Sequence, residues 1–240
     1  MSLQGTLGKA MRTVDRKFGL LAWLSGEPRP PRGGFDLEGE KFVDWGWICT
    51  RLPRTPGKAL EIGSGKSPIV PALISLGYDV TAVDLCADIS SLYDGVQFVL
   101  GDFTHVGFHS RFDVIVLCSV VEHIGLSGRY NSSEDPDGDL TVMKTAIKLL
   151  TRGGSLFLTI PVGKDATHRP WHRVYGDQRL KLLLTGFTVQ ACRFLVKRPH
   201  GPWCISSREC ALSVEPDPRR YALGQFILQS TGVVEDAASS

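Results

Sequence analysis

The segment Ala59-Leu60-Glu61-Ile62-Gly63-Ser64-Gly65-Lys66-Ser67-Pro68 constrains the fold more than any other part of this chain. A short apolar run carrying one acid enters a Gly-x-Gly turn, and a helix-compatible segment, Ile69 to Leu76, follows. Strand, glycine turn and helix in this order open a nucleotide-binding α/β unit. Side chains at the two glycines would obstruct both the tight turn and the approach of a ligand to the backbone. Glu61, just before the turn, is expected to face the same pocket. A carboxylate there suits a ligand with a cationic group and hydroxyls better than a pyrophosphate. A dinucleotide fingerprint also asks for a third glycine three residues after the second, and that position is Pro68. The turn therefore fits NAD and FAD poorly. It fits S-adenosylmethionine, which carries an amino group and a sulfonium and no phosphate.

The following segments agree with this opening. Tyr78 to Asp84 reads as a second strand ending in an acid, 21 residues after Gly63. An acid at about that spacing holds ribose hydroxyls. Val96 to Phe103 is a third strand, ending in Gly101-Asp102, and Phe112 to Ser119 is a fourth. The fourth has the near-continuous apolar character of a buried parallel strand. A helix from about Asp139 to Leu150 leads through Thr151-Arg152-Gly153-Gly154 to a fifth strand, Ser155 to Pro161.

Glu61-Ile-Gly-Ser-Gly65, Asp84, Gly101-Asp102, Phe112-Asp113 through Glu122-His123, and Leu150 to Gly154 stand in one order and at consistent intervals. On these marks the stretch from Lys58 to about Leu195 resembles the class I S-adenosylmethionine-dependent methyltransferases. A narrower set comprises Glu122 to Leu126, Gly128-Arg129-Tyr130, Asp135 to Leu140, Pro161 to Asp165 and His172 to Gly176. This set resembles a little-characterised methyltransferase-like family described as a domain of unknown function. The resemblance implies a doubly wound, Rossmann-like α/β fold whose mostly parallel seven-stranded sheet has an antiparallel edge strand. It implies S-adenosylmethionine as cofactor, with Glu61, Gly63, Ser64, Gly65, Asp84, Leu85, Asp102, Phe103, Ser119 and Val120 as the cofactor-binding positions. Within that set Asp84 is assigned to the ribose and Asp102 to the adenine amino group. Ser119 and Val120 are placed near the methionine moiety. A turn or helix-capping role is the competing account of Asp102.

With 240 residues the chain is long enough for one α/β domain with additions. Residues 1–57 read as a helical extension and linker, 58–229 as the methyltransferase domain and 230–240 as a disordered tail. Leu7, Met11, Val14, Phe18 and Leu21 form one stripe of an amphipathic helix from about Leu7 to Leu24, and 26–34 is a breaker-rich linker. Phe42 to Leu52 is expected to be a helix that lays Trp45, Trp47 and Ile48 near the cofactor mouth. Beyond the fifth strand, Gly176 to Thr185 reads as a helix, Phe187 to Leu195 and Glu209 to Val214 as strands, and Tyr221 to Gln229 as a terminal helix.

Basic and acidic side chains balance, 27 against 25, which argues against the concentrated basic face of a nucleic-acid binder. None of the six cysteines forms a C-x-x-C pair, so reduced thiols in a cytoplasmic protein without a zinc site are expected. No signal peptide and no membrane span are apparent.

Methyl transfer from a sulfonium is a displacement at an already activated carbon, so positioning and proton removal are what side chains must supply. His123 follows the fourth strand and is the leading general base; a structural histidine is its bland alternative. His168, Trp171, His172 and Tyr175, in the loop after the fifth strand, are candidate contacts for a small-molecule acceptor. A packed, hydrogen-bonded loop is the alternative. Asp135, Asp137 and Asp139 form an acidic loop, but they lack the calcium-loop ligand series, and helix capping by Asp139 accounts for it more simply. His168 and His172 are four residues apart, yet Pro170 between them opposes a helical ligand pair. No resident metal is expected.

The function read from these residues is methyl transfer from S-adenosylmethionine to an oxygen or nitrogen of a small molecule, glycan-type or natural-product. Its rivals are a protein or RNA methyltransferase, disfavoured by balanced charge, and a non-catalytic protein that kept the fold, disfavoured by the intact Glu61, Gly63, Gly65 and Asp84.

Overall fold

Phe112–Cys118 is the centre of the molecule because it satisfies two hydrophobic faces at once. Successive strand side chains point to opposite faces, and here Ile115 and Leu117 enter one apolar cluster while Val114 and Val116 enter another. The structure, a computed structural model, describes residues 40–65, 67–85, 93–128, 130, 133–197 and 201–231. The amphipathic helix and linker expected before residue 40, the thiol of Cys86 and all of the expected 230–240 tail but its first two residues, of which Ser230 ends a strand, lie outside the described residues.

In chain order the elements are α1 (Glu40–Cys49), β1 (Lys58–Ile62), α2 (Ile69–Ser75), β2 (Asp79–Asp84), β3 (Gln97–Leu100) and β4 (Phe112–Cys118). A single 3-10 turn, Val121–His123, precedes α3 (Gly138–Leu149) and β5 (Leu150–Val162). Then come β6 (Ala166–His168), β7 (His172–Val174), α4 (Asp177–Leu183), β8 (Phe187–Lys197), β9 (Trp203–Ser206), α5 (Arg208–Leu212) and β10 (Ala222–Ser230). The main sheet runs β3-β2-β1-β4-β5-β10-β8-β9. Its first five strands are parallel, β10 runs antiparallel between β5 and β8, and β9 closes the edge antiparallel to β8. β6 and β7 pair in a separate two-stranded ribbon.

Helices cover both faces, which is the doubly wound arrangement. Val142, Met143 and Ala146 of α3 join Leu180 and Leu183 of α4 over one face. Trp47 and Ile48 of α1 join Ile69, Val70 and Leu73 of α2 over the other. Full burial of a side chain of this size contributes about 1.5–3 kcal/mol, so each helix is held mainly by its inward stripe.

Three expectations change. The sheet has eight described strands rather than seven, because Trp203–Ser206 adds β9. Residues 209–214 are not a strand: Arg208–Leu212 is helical, started by Ser207, whose Oγ accepts the Cys210 N–H at 3.1 Å. Tyr221–Gln229 is not a helix: Ala222–Ser230 is β10, buried between β5 and β8 along most of its length. A short, continuous apolar run serves either a helix or a doubly buried strand, and here the gap between two strands decides. Trp47 and Ile48 pack in the core, Trp47 edge-on to Phe157 at 6.3 Å.

Candidate functional site

The carboxyl ends of β1, β2 and β4 open on a cleft of about 350 Å³. Gly63 and Gly65 shape its first wall with φ of +70° and +48°, a region that L side chains rarely adopt. A Cβ on Gly63 would also stand 2.4 Å from Cγ2 of Val120, so the glycine lets the turn close on the β4 exit. Across the turn, Oδ2 of Asp84 accepts the Gly65 N–H at 2.9 Å. Leu85, Asp102, Phe103, Ser119 and Val120 complete the lining among the residues singled out from sequence.

Glu61 and Ser64 do not line the cleft. Glu61 lies beneath the turn, 1% exposed, and accepts a 2.5 Å hydrogen bond from Ser67 Oγ. That hydroxyl in turn accepts the Ile69 N–H at 3.1 Å, satisfying a donor at the start of α2 where Pro68 supplies none. Burial pushes the Glu61 carboxyl up to about 8; the Ser67 bond opposes this and the nearby Asp84 charge adds to it. Ser64 is buried as well, with no partner for its hydroxyl among the described residues. Asp102 faces the cleft but also makes the turn that competed for it: Oδ1 accepts from Thr104 N and Oγ1 at 2.9 and 2.7 Å. Burial raises its carboxyl, yet the Thr104 bonds and His105 together hold it below the ordinary value.

The floor is a polar network that sequence reading missed. Ser119 leaves β4 with φ +50° and donates from Oγ to Asp44 Oδ2 at 3.4 Å. Gln225 Nε2 donates to Asp44 Oδ1 at 2.6 Å, and Arg193 Nε donates to Gln225 Oε1 at 2.7 Å. Burial pushes Asp44 up to about 6 against the pull of the Gln225 and Thr159 hydrogen bonds. An acid inside the apolar stripe of α1 was the one visible signal. A non-glycine residue in a left-handed conformation costs of order 1–3 kcal/mol and clusters at functional sites, and Ser119 is the one such residue among those described.

Beside the cleft lies a second cavity of about 630 Å³, whose lining shares Lys41, Ser119, His123 and Tyr130 with the first. His123 Nδ1 stands 2.6 Å from the Trp171 carbonyl oxygen. A carbonyl only accepts, so in the neutral ring the proton sits on Nδ1 and Nε2 is the basic nitrogen. Nε2 is 3.7 Å from Glu122 Oε1. Trp171 and His172 line this cavity, whereas His168 and Tyr175 do not. The His168 ring packs against that of His172 at 5.7 Å. Tyr175 is wholly buried and donates to Asp139 Oδ2 at 3.1 Å.

The narrower set of matching residues interlocks behind these cavities. Arg173, 4% exposed, donates from Nη1 to Ile124 O at 2.5 Å and from Nη2 to the carbonyls of Asp135 and Pro136 at 3.1 and 3.2 Å. Asp139 accepts from Arg179 at 2.5 and 3.1 Å as well as from Tyr175. Asp165 accepts the N–H groups of Gly176, Gln178 and Arg179, tying the loop after β5 to the first turn of α4. Asp139 is therefore an ion-pair hub rather than a cap, and Asp137 pairs with Arg179 at 3.0 Å. Among the described residues no group of three or more potential ligands converges on a metal position.

Residues 88–206, just under half of the chain, match the family described as Caenorhabditis protein of unknown function, DUF268. A comparison with curated proteins finds no significant match. Among solved structures, the Burkholderia thailandensis 1,6-didemethyltoxoflavin-N1-methyltransferase, with its namesake and S-adenosylhomocysteine bound, is similar at 18% identity and TM-score 0.56. The match covers 92% of this chain and 90% of that one. The glycopeptide N-methyltransferase MtfA in complex with S-adenosylmethionine is similar at 16% identity and TM-score 0.53, over 85% and 99%. The PH0226 protein from Pyrococcus horikoshii OT3 is similar at 14% identity and TM-score 0.53, over 82% and 94%. At such identities the likeness is one of fold, and the chain has the Rossmann-like α/β fold of the two methyltransferases.

Proposed function

We propose that the protein is an S-adenosylmethionine-dependent methyltransferase, its catalytic domain at 58–229, acting on an oxygen or nitrogen of a small molecule. One observation carries this: Asp84 already occupies the Gly65 N–H, the donor that a pyrophosphate would need. The mouth of the turn is therefore anionic, and it suits a ligand that brings hydroxyls and a positive charge. Gly65, with nothing within 4 Å of where a Cβ would stand, leaves its backbone open to close approach. When bound, the cofactor supplies a methyl group activated on a sulfonium.

In this reading Asp84 holds the ribose hydroxyls, Asp102 and Phe103 meet the adenine, and Gly63, Gly65, Leu85, Ser119 and Val120 form the rest of the wall. Glu61 and Ser64 support the turn from beneath. His123, held by the Trp171 carbonyl, takes a proton from the acceptor through Nε2. Trp171 and His172 touch the acceptor; His168 and Tyr175 brace the loop that presents them. Free thiols at Cys49, Cys118, Cys192, Cys204 and Cys210 accord with a cytoplasmic setting, and among the described residues no helix is long and apolar enough to cross a membrane.

Calorimetry with S-adenosylhomocysteine and with NAD tests the cofactor. The homocysteine product is expected to bind and NAD to give no measurable heat. NAD binding with no response to S-adenosylhomocysteine overturns the reading.

A further inference from the structure

Glu122 is 2% exposed and lines the second cavity, yet its Oε2 has no hydrogen-bond partner among the described residues. Leaving a buried polar atom unpaired costs about 1–3 kcal/mol. A donor that arrives with a ligand would recover that cost. The neighbouring side chains narrow the donor's nature. Tyr221 is already committed, donating to Glu40. Trp171, His172 and Tyr221 give the lining an aromatic side, with the His172 and Tyr221 rings edge-on at 5.1 Å. Titratable and charged groups share the lining: His123, whose Nε2 is 3.7 Å from Glu122 Oε1, His172, Glu40 and Lys41 from α1, and Arg219 from the segment before β10, with Asp44 behind Ser119.

Given that the adjoining cleft holds the methyl donor, we infer that this cavity takes the methyl acceptor, and that the acceptor presents a primary or secondary amine to Glu122. Burial pushes the Glu122 carboxyl up to about 8, although Lys41 pulls the other way. The same desolvation lowers the basicity of an amine. Acid and amine therefore move together toward a neutral pair in which the nitrogen keeps its lone pair. During transfer that lone pair forms the N–C bond while the methyl group's bond to sulfur breaks, its electron pair staying on sulfur. The ammonium so formed passes its proton to His123 Nε2, which stands 3.7 Å from Glu122 Oε1, and the methylated product leaves as an amine. The aromatic wall suits an amine carrying an apolar body.

The inference has a signature apart from turnover. At neutral pH a free alkylamine is an ammonium. It enters either by shedding its own proton or by displacing that of Glu122, and one proton reaches solvent in both cases. A hydroxyl acceptor releases none. The full chain, with S-adenosylhomocysteine present, is titrated with phenethylamine and with 2-phenylethanol, each in two buffers of different ionisation enthalpy. Phenethylamine is expected to bind and to release about one proton, and 2-phenylethanol to release none. Glu122→Gln is expected to abolish phenethylamine binding and the release with it, and Glu122→Asp to retain both. Absent binding of the amine, no proton release, or binding and release unchanged in Glu122→Gln overturns the inference. If Glu122→Gln does not fold, the release measured on the unmodified chain decides. If S-adenosylhomocysteine binds and the amine does not, the acceptor inference falls and the methyltransferase reading stands. If S-adenosylhomocysteine does not bind, that reading falls, and titration with the amine alone still judges the cavity.

Discussion

Asp84 ties two pieces of the cleft together, because one carboxylate both closes the glycine turn and faces the opening. Asp84→Ala is expected to weaken S-adenosylhomocysteine binding by about 1.5–3 kcal/mol, the worth of hydrogen bonds to a charged group. The fold should survive, since the residue sits at a strand tip outside both apolar clusters. Unchanged affinity in a folded variant removes Asp84 from the ribose site. His123 is expected to separate binding from turnover. His123→Ala should lower turnover by roughly 10²–10⁴ and leave cofactor affinity nearly intact, once an acceptor is in hand. Near-normal turnover would place the base elsewhere.

Among the elements, the five parallel strands were legible because each couples an apolar run to a polar or glycine stop. Residues 203–230 were not. Trp203–Ser206 is four residues long, and Ala222–Ser230 carries neither the alternation of a half-buried strand nor a helix stop signal. The site shows the same division. Gly63, Gly65, Asp84 and Asp102 could be read because backbone geometry and strand ends announce themselves locally. Asp44 and Gln225 could not, since their meeting joins positions 181 residues apart. Glu61 was read in the right turn with the wrong direction, because a strand residue's face depends on what packs behind it. The turn itself is testable. Gly63→Ala combines a left-handed backbone, costing about 1–2 kcal/mol, with the clash on Val120. Loss of S-adenosylhomocysteine binding and a lower melting temperature are expected. Adding Val120→Ala should return part of the stability; no gain would show that the backbone alone is limiting.

Taken whole, the molecule buries carboxyl groups that ionise readily once it unfolds. Glu61 and Glu122 rise from ordinary values near 4.5 to about 8, and Asp44 from 3.8 to about 6, in each case chiefly through burial. Below about pH 3 these groups are mostly protonated in both states and cost little. As pH climbs past their unfolded values the unfolded chain loses their protons first, so stability falls, by up to about 1.4 kcal/mol per pH unit for each group. Thermal melts are expected to decline from pH 5 toward pH 8. Glu61→Gln should flatten that decline, and a melting temperature that rises from pH 5 to 8 would show that these acids are ionised in the native protein. The hairpin of β6 and β7 has a consequence of another kind. Trp171 lines the second cavity, and it is its main-chain carbonyl that meets His123 Nδ1. Every amino acid carries that carbonyl. Position 171 can therefore change identity over evolutionary time, reshaping what the cavity admits, while the imidazole tautomer is inherited unaltered.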